Sequence, residues 1–314
     1  MPTPMSVIPT NFRGLRGRVA TIGAIATFLH VSPMVLATDR IVVDDLGSKV
    51  VVKNSIRRVV SLVPTNSEMV CLLDCERLKG GTRYDEFPEE LKKRIQLKQT
   101  AIIGGGFDAN LEKIVQLQPD LILTNGPTQQ RFAVPLKNMG YSVLSIWPRD
   151  VDGLKKDFLL LGELLGQETK AKTVIANMER RFAIVEAKTK NKPVKTVYLQ
   201  MWTDPLITVG KLAFPNWLVA AAGGVNVFND IFLDSPQISL ESLIQRNPEV
   251  LIFLAGQEAF VKALTNRPGW SSIRGVRNSH FCFVDEPDIR RSVEFLNGLA
   301  KIQDCLFREP RVNK

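Results

Sequence analysis

The sequence predicts an α/β protein of two lobes with similar topology, joined by a single long rigid helix. Three observations carry this: a segment that occurs twice, strand and helix patterns that alternate around each copy, and one long helical stretch between them. The segment NLEKIVQLQPDLIL (110–123) returns about 129 residues later as SLESLIQRNPEVLI (239–252), with Leu, Glu, Gln and Pro in register. In each copy a capping residue (Asn110, Ser239) precedes a short amphipathic helix, a Pro (Pro119, Pro248) prevents its continuation, and an apolar run follows as a buried strand.

Residues 40–52 read as a small edge hairpin, with alternating Val and Ile around a turn at Asp45, Leu46 and Gly47. Strands are expected at 59–62, 78–81, 121–124 and 142–146, separated by helices that begin near Asn66, Asn110 and Gln130. These complete a first lobe over 38–150. Residues 151–192 contain a charged pattern rich in Leu and Ala, read as two helices hinged at Gly166. The second, over 169–188, is long enough to cross between lobes as a stiff connector. The second lobe, 193–314, alternates again, with strands at 196–199, 206–209, 250–254 and 280–284 and a closing helix at 291–307.

The first 37 residues read as an export signal. Arg13, Arg16 and Arg18 precede an apolar run over 19–29, and Val35 and Ala37 stand at the positions expected before cleavage. Removal after Ala37 and a soluble periplasmic protein are the expectation, because a spanning helix needs about 20 apolar residues and no Cys lies near the cleavage site for lipid attachment. The chain carries 41 basic and 32 acidic residues; losing the three leader arginines leaves 38 against 32, a charge of +6. No basic stripe with interleaved aromatics appears, so nucleic acid is not an expected partner, while a mild attraction to anionic ligands is.

Export makes disulfides available to the four cysteines. Cys71 and Cys75, four apart near a helix end, point in parallel directions that hinder a bond unless the last turn unwinds; Cys282 on a strand and Cys305 on the closing helix form the more plausible pair. Spacing leaves both pairings open. With His30 in the leader, His280 stands alone beside Phe281 and reads as structural, so neither a metal site nor a cofactor is expected.

The segments RVVSLVPTN (58–66), GTRYDEFP (81–88), GGGFDANLEKIVQLQPD (104–120), 198–210 and GGVNVFN (223–229) through the second repeat resemble class III periplasmic binding proteins, in the same order over nearly all of the mature chain. These serve ABC importers of cobalamin (vitamin B12), ferric siderophores and haem, and the pattern is most similar to the cobalamin-binding members. The resemblance implies a monomer with a ligand cleft between the lobes, no enzymatic activity, a metal-chelate ligand and an inner-membrane permease as partner. It also implies that one acid per lobe, Glu112 and Glu241 by motif, docks on permease arginines; the plain alternative is a carboxylate favoured by a helix N-terminus.

Ligands of open α/β sheets collect beyond the carboxyl ends of strands, which nominates the loops holding Arg83 and Tyr84, Phe107, and 125–127 in the first lobe. The second lobe offers Trp202 and Arg290. Tyr84 and Trp202 match the ring-stacking positions of the cobalamin binders and are expected to face each other, since a flat aromatic suits a planar macrocycle. Arg290 could hold an acidic side group with its guanidinium fork. Where those members carry tryptophans before each repeat, this chain has Gly106–Phe107 and Ser235, and it has Ala222 in place of a cysteine. The ligand could therefore be a ferric siderophore or haem rather than cobalamin.

An exported enzyme, or a structural or regulatory protein on the same fold, is the alternative of a different class. The chain lacks a P-loop, a GxSxG elbow, HExxH and CxxC, and no dinucleotide fingerprint follows Gly104–Gly106, which read as a tight turn.

Overall fold

The computed structural model describes residues 39–308 apart from Lys190 and Thr265; the leader and its cleavage after Ala37 lie outside the described residues. The strands are β1 (Arg40–Val43), β2 (Lys49–Val52), β3 (Val59–Ser61), β4 (Leu78–Gly81), β5 (Ala101–Ile102), β6 (Leu121–Thr124), β7 (Val143–Ser145), β8 (Lys195–Thr203), β9 (Leu206–Thr208), β10 (Gly224–Asn226), β11 (Val250–Leu254) and β12 (Phe281–Val284). The helices are α1 (Pro64–Asp74), α2 (Glu89–Gln96), α3 (Leu111–Gln116), α4 (Gln130–Asn138), α5 (Val151–Leu165), α6 (Glu168–Thr189), α7 (Phe214–Ala221), α8 (Leu240–Arg246), α9 (Glu258–Leu264), α10 (Arg274–Arg277) and α11 (Phe295–Phe307). None of these is long and apolar enough to cross a membrane.

Two five-stranded sheets define the lobes. The first runs β5-β4-β3-β6-β7, all parallel; the second runs β10-β8-β11-β12, also parallel, with β9 added antiparallel on β8. The order β4-β3-β6-β7 matches β10-β8-β11-β12, so the two sequence repeats, α3–β6 and α8–β11, occupy the same place in each sheet. Central strands are buried on both faces, which is why they read as continuous Val, Ile and Leu. The hairpin β1–β2 differs from its expected place as a sheet edge. It forms a separate two-stranded sheet, held beside β7 by single bonds such as Asp45 N–H to Ser145 O at 3.1 Å.

The connector α6 has 22 residues, about 33 Å at the α-helical rise. Its buried stripe is Ala171, Met178 and Val185, seven apart. Ala171 packs against Gly162 of α5, where a Cβ would come within 2.6 Å of the Ala171 methyl. At its other end Phe182 stacks on Trp217 at 5.7 Å, and the Gln303 amide of α11 donates to the Val185 carbonyl. One hydrophobic cluster runs from Leu123 and Leu144 of the first sheet through Phe158 and Met178 to Leu199, Ile252 and Leu299 of the second lobe. Each sheet adds its own outer cluster, around Ile122 and Val143 in the first and around Tyr198 and Phe253 in the second.

Both cysteine pairs are bonded, Cys71 to Cys75 and Cys282 to Cys305. Helix α1 stops at Asp74 and gives way to a 3-10 turn at Cys75–Arg77, the unwinding that the close pair requires. His280 is structural, its Nε2 lying 2.9 Å from the Cys305 carbonyl.

Candidate functional site

The loops after β3, β4, β5 and β6 meet the segment after β12 around a cavity of about 260 Å³. Tyr84 and Phe107 line it together, with Asn125, Gln129, Arg290 and Arg291. Gln129 was not singled out from sequence, yet it organises the cavity floor. It is buried; its amide donates to the Leu62 and Gly106 carbonyls, each at 2.9 Å, and its oxygen accepts from Asn125 N–H at 2.8 Å. Three loops are thus tied to one side chain. The glycine turn is fixed similarly: Gly104 has φ +125°, and Gly105 N–H donates to Asp108 at 2.8 Å.

Arg83 reaches the site indirectly. It pairs with Asp108 at 2.6 Å and stands over the Tyr84 ring, 5.7 Å from its centroid. Arg131 does the same for Phe107, donating to its carbonyl and lying 5.9 Å from its ring centre. Both exposed aromatics are therefore braced by guanidinium groups.

Arg290 lines the cavity as expected of a candidate binding residue. It is already engaged with Glu286, Nε to Oε1 at 2.8 Å and Nη2 to Oε2. Trp202 is not among the residues lining the cavity; it is exposed near the end of β8, its indole N–H donating to the Asp204 carbonyl at 2.9 Å. Phe107, rather than Trp202, shares the cavity with Tyr84.

Arg291, expected to start the closing helix, lies before it and bridges the lobes. Its Nε donates to the Pro148 carbonyl at 2.9 Å, Nη2 pairs with Asp234 at 2.7 Å, and the guanidinium stands 5.5 Å from the Trp147 ring centre. A second tie joins Glu68 of α1 to Val293 N–H at 3.2 Å. The sequence hid this carboxylate because what buries it is 225 residues away.

Burial pushes Glu68 up to about 8, and burial followed by the nearby Asp45 carboxylate pushes Asp157 of α5 up to about 9. Both hold protons in the folded state at neutral pH and lose them when unfolded. Their stabilisation is complete below the ordinary carboxylate range and is lost as pH rises through about 8 and 9. Melting temperature should therefore fall as pH rises from about 5 to about 9. The profile should flatten in Glu68→Gln, Asp157→Asn; an equally steep fall in that variant would contradict the assignment.

Glu112 and Glu241 are exposed in the first turns of α3 and α8. Asn110 accepts from Lys113 N–H at 2.9 Å and Ser239 from Ser242 N–H at 3.2 Å, so each acid follows a side-chain cap. Glu241 is held below its ordinary pKa by its own backbone N–H and by Ser239.

A family model described as "periplasmic binding protein" matches residues 59–287. An ABC transporter substrate-binding lipoprotein of Bacillus subtilis is 26% identical over 279 residues, covering 85% of each chain. A vitamin B12-binding protein of Photorhabdus laumondii is 29% identical over 211 residues, 67% of this chain and 74% of that protein. Among solved structures, one reported as a possible iron-binding, periplasmic solute-binding protein of Staphylococcus epidermidis superposes with a TM-score of 0.69 at 23% identity, covering 81% of this chain and 100% of that one.

Proposed function

We propose a ligand and a route from the premise that the chain belongs to the periplasmic binding protein family: it captures cobalamin or a related metal chelate in the interlobe cleft and delivers it to the permease of an ABC importer. The observation that carries the ligand reading is the cavity beyond the strand ends, where Tyr84 and Phe107 present braced aromatic surface between two lobes. Relatives named for ABC transport and for vitamin B12 support it. A ferric siderophore or haem is the second reading, favoured by a lining with two aromatics and no Trp. The protein acts in this reading as an exported monomeric carrier rather than an enzyme, with its leader removed after Ala37. Glu112 and Glu241 dock on the permease.

Thermal shift of the purified protein with cobalamin, haem and ferric siderophores tests the ligand, since a ligand of the folded state raises the melting temperature. With the responding chelate, Tyr84→Ala should weaken binding by about 1–3 kcal/mol, the loss of one stacked aromatic surface. Trp202→Ala should cost less, because Trp202 lies outside the cavity lining. Calorimetry showing unchanged affinity for Tyr84→Ala would remove the aromatic seat.

A further inference from the structure

Next to the aromatic cavity, and sharing Pro64, Tyr84 and Arg290 with it, lies a second cavity of about 330 Å³. Its ionised lining is one-sided: Glu86 and Glu294 face it beside the neutral, buried Glu68, and Arg290 is the one cation among the lining residues. That cation is already matched by Glu286, which holds it in two contacts. Glu86 and Glu294 have no ion pair among the described residues; Glu294 only accepts from the Asn297 amide at 2.8 Å. Glu68 is buried in the wall, accepting from Val293 N–H with Ser292 beside it, and Phe87, Pro64 and Pro287 supply apolar surface around the carboxylates. A lining with unmatched acceptors and apolar walls favours a group that brings its own donors, and it opposes another carboxylate.

We propose that this second cavity is a subsite for a hydrogen-bond-donating appendage of the ligand, an ammonium or carboxamide group, while the chelate's flat body rests on Tyr84 and Phe107. The inference deepens the metal-chelate reading and depends on it. Glu86 and Glu294 accept the donors at the mouth. The protonated Glu68 deeper in can both donate and accept, which suits an amide. Anionic appendages such as carboxylates are repelled by Glu86 and Glu294, so the cleft sorts chelates by the charge of their side arms.

Two matched pairs of probes test this by calorimetry: cobalamin against a cobalamin monocarboxylate, and ferrioxamine B, with its terminal ammonium, against its N-succinyl derivative. In whichever pair binds, the donor-bearing member should bind about tenfold or more tightly than the carboxylate, as one to two such contacts imply. In Glu86→Gln, Glu294→Gln that ratio should collapse to about twofold or less, since neutral amides no longer repel the carboxylate. A ratio near one in the unmodified protein, an inverted ratio, or a ratio kept in the variant overturns the subsite and leaves the chelate reading standing. If neither pair binds while haem or another ferric siderophore shifts the melting temperature, the subsite is overturned and the chelate reading stands; if no chelate of any class binds, both fail.

Discussion

Ligand uptake should fall about tenfold or more in cells that carry Glu112→Ala together with Glu241→Ala, while the purified variant keeps its ligand affinity. The two acids occupy equivalent places in the two lobes, behind intact caps at Asn110 and Ser239. Helix α6 and the shared core hold the lobes as one body, so both acids can engage a two-subunit permease together, with an avidity that neither has alone. Exposed charge pairs chiefly set orientation and encounter rate, and the effect should weaken with salt. If the acids served only the helix dipoles, the variant would lose a little stability and transport normally. Binding, melting temperature and uptake measured on the one double variant separate these outcomes, and normal uptake defeats docking.

Phe158→Ala should lower the unfolding free energy by about 3–5 kcal/mol, a large part of the 5–15 kcal/mol typical of a folded domain. Phe158 is fully buried in α5, within the cluster that links both lobes. Neighbours tied into two sheets and the connector cannot close around the missing ring, so a cavity remains. Urea denaturation should show a lower midpoint with an unchanged slope. A loss below about 1 kcal/mol would mean that the site collapses freely.

The parallel strands β6 and β11 were legible because apolar runs bounded by a capped helix and a Pro leave few alternatives. Helix α2 (EELKKRIQ) was missed: it buries only Leu91 and presents charge elsewhere. The three-residue β10 was missed too, since it follows a Gly pair and is a strand only because β8 is beside it. The closing helix begins at Phe295 rather than Arg291, because residues 291–293 are drawn away to Pro148, Asp234 and Glu68. The site divides the same way. Tyr84, Phe107 and Arg290 could be nominated from loops after strands. Gln129, Arg291 and Glu68 could not, since each owes its role to partners distant in sequence.

The core that continues beneath both sheets means that cutting the chain at α6 would leave each half with an open apolar face rather than a finished domain. The lobes should consequently unfold as one cooperative unit. A ligand touching mainly first-lobe loops then slows the global opening of the whole unit, and amide protons of β10 and β11, which contribute nothing to the cavity lining, exchange more slowly as well. Occupancy of the cleft is in this sense registered at the back of the molecule without any movement of one lobe against the other.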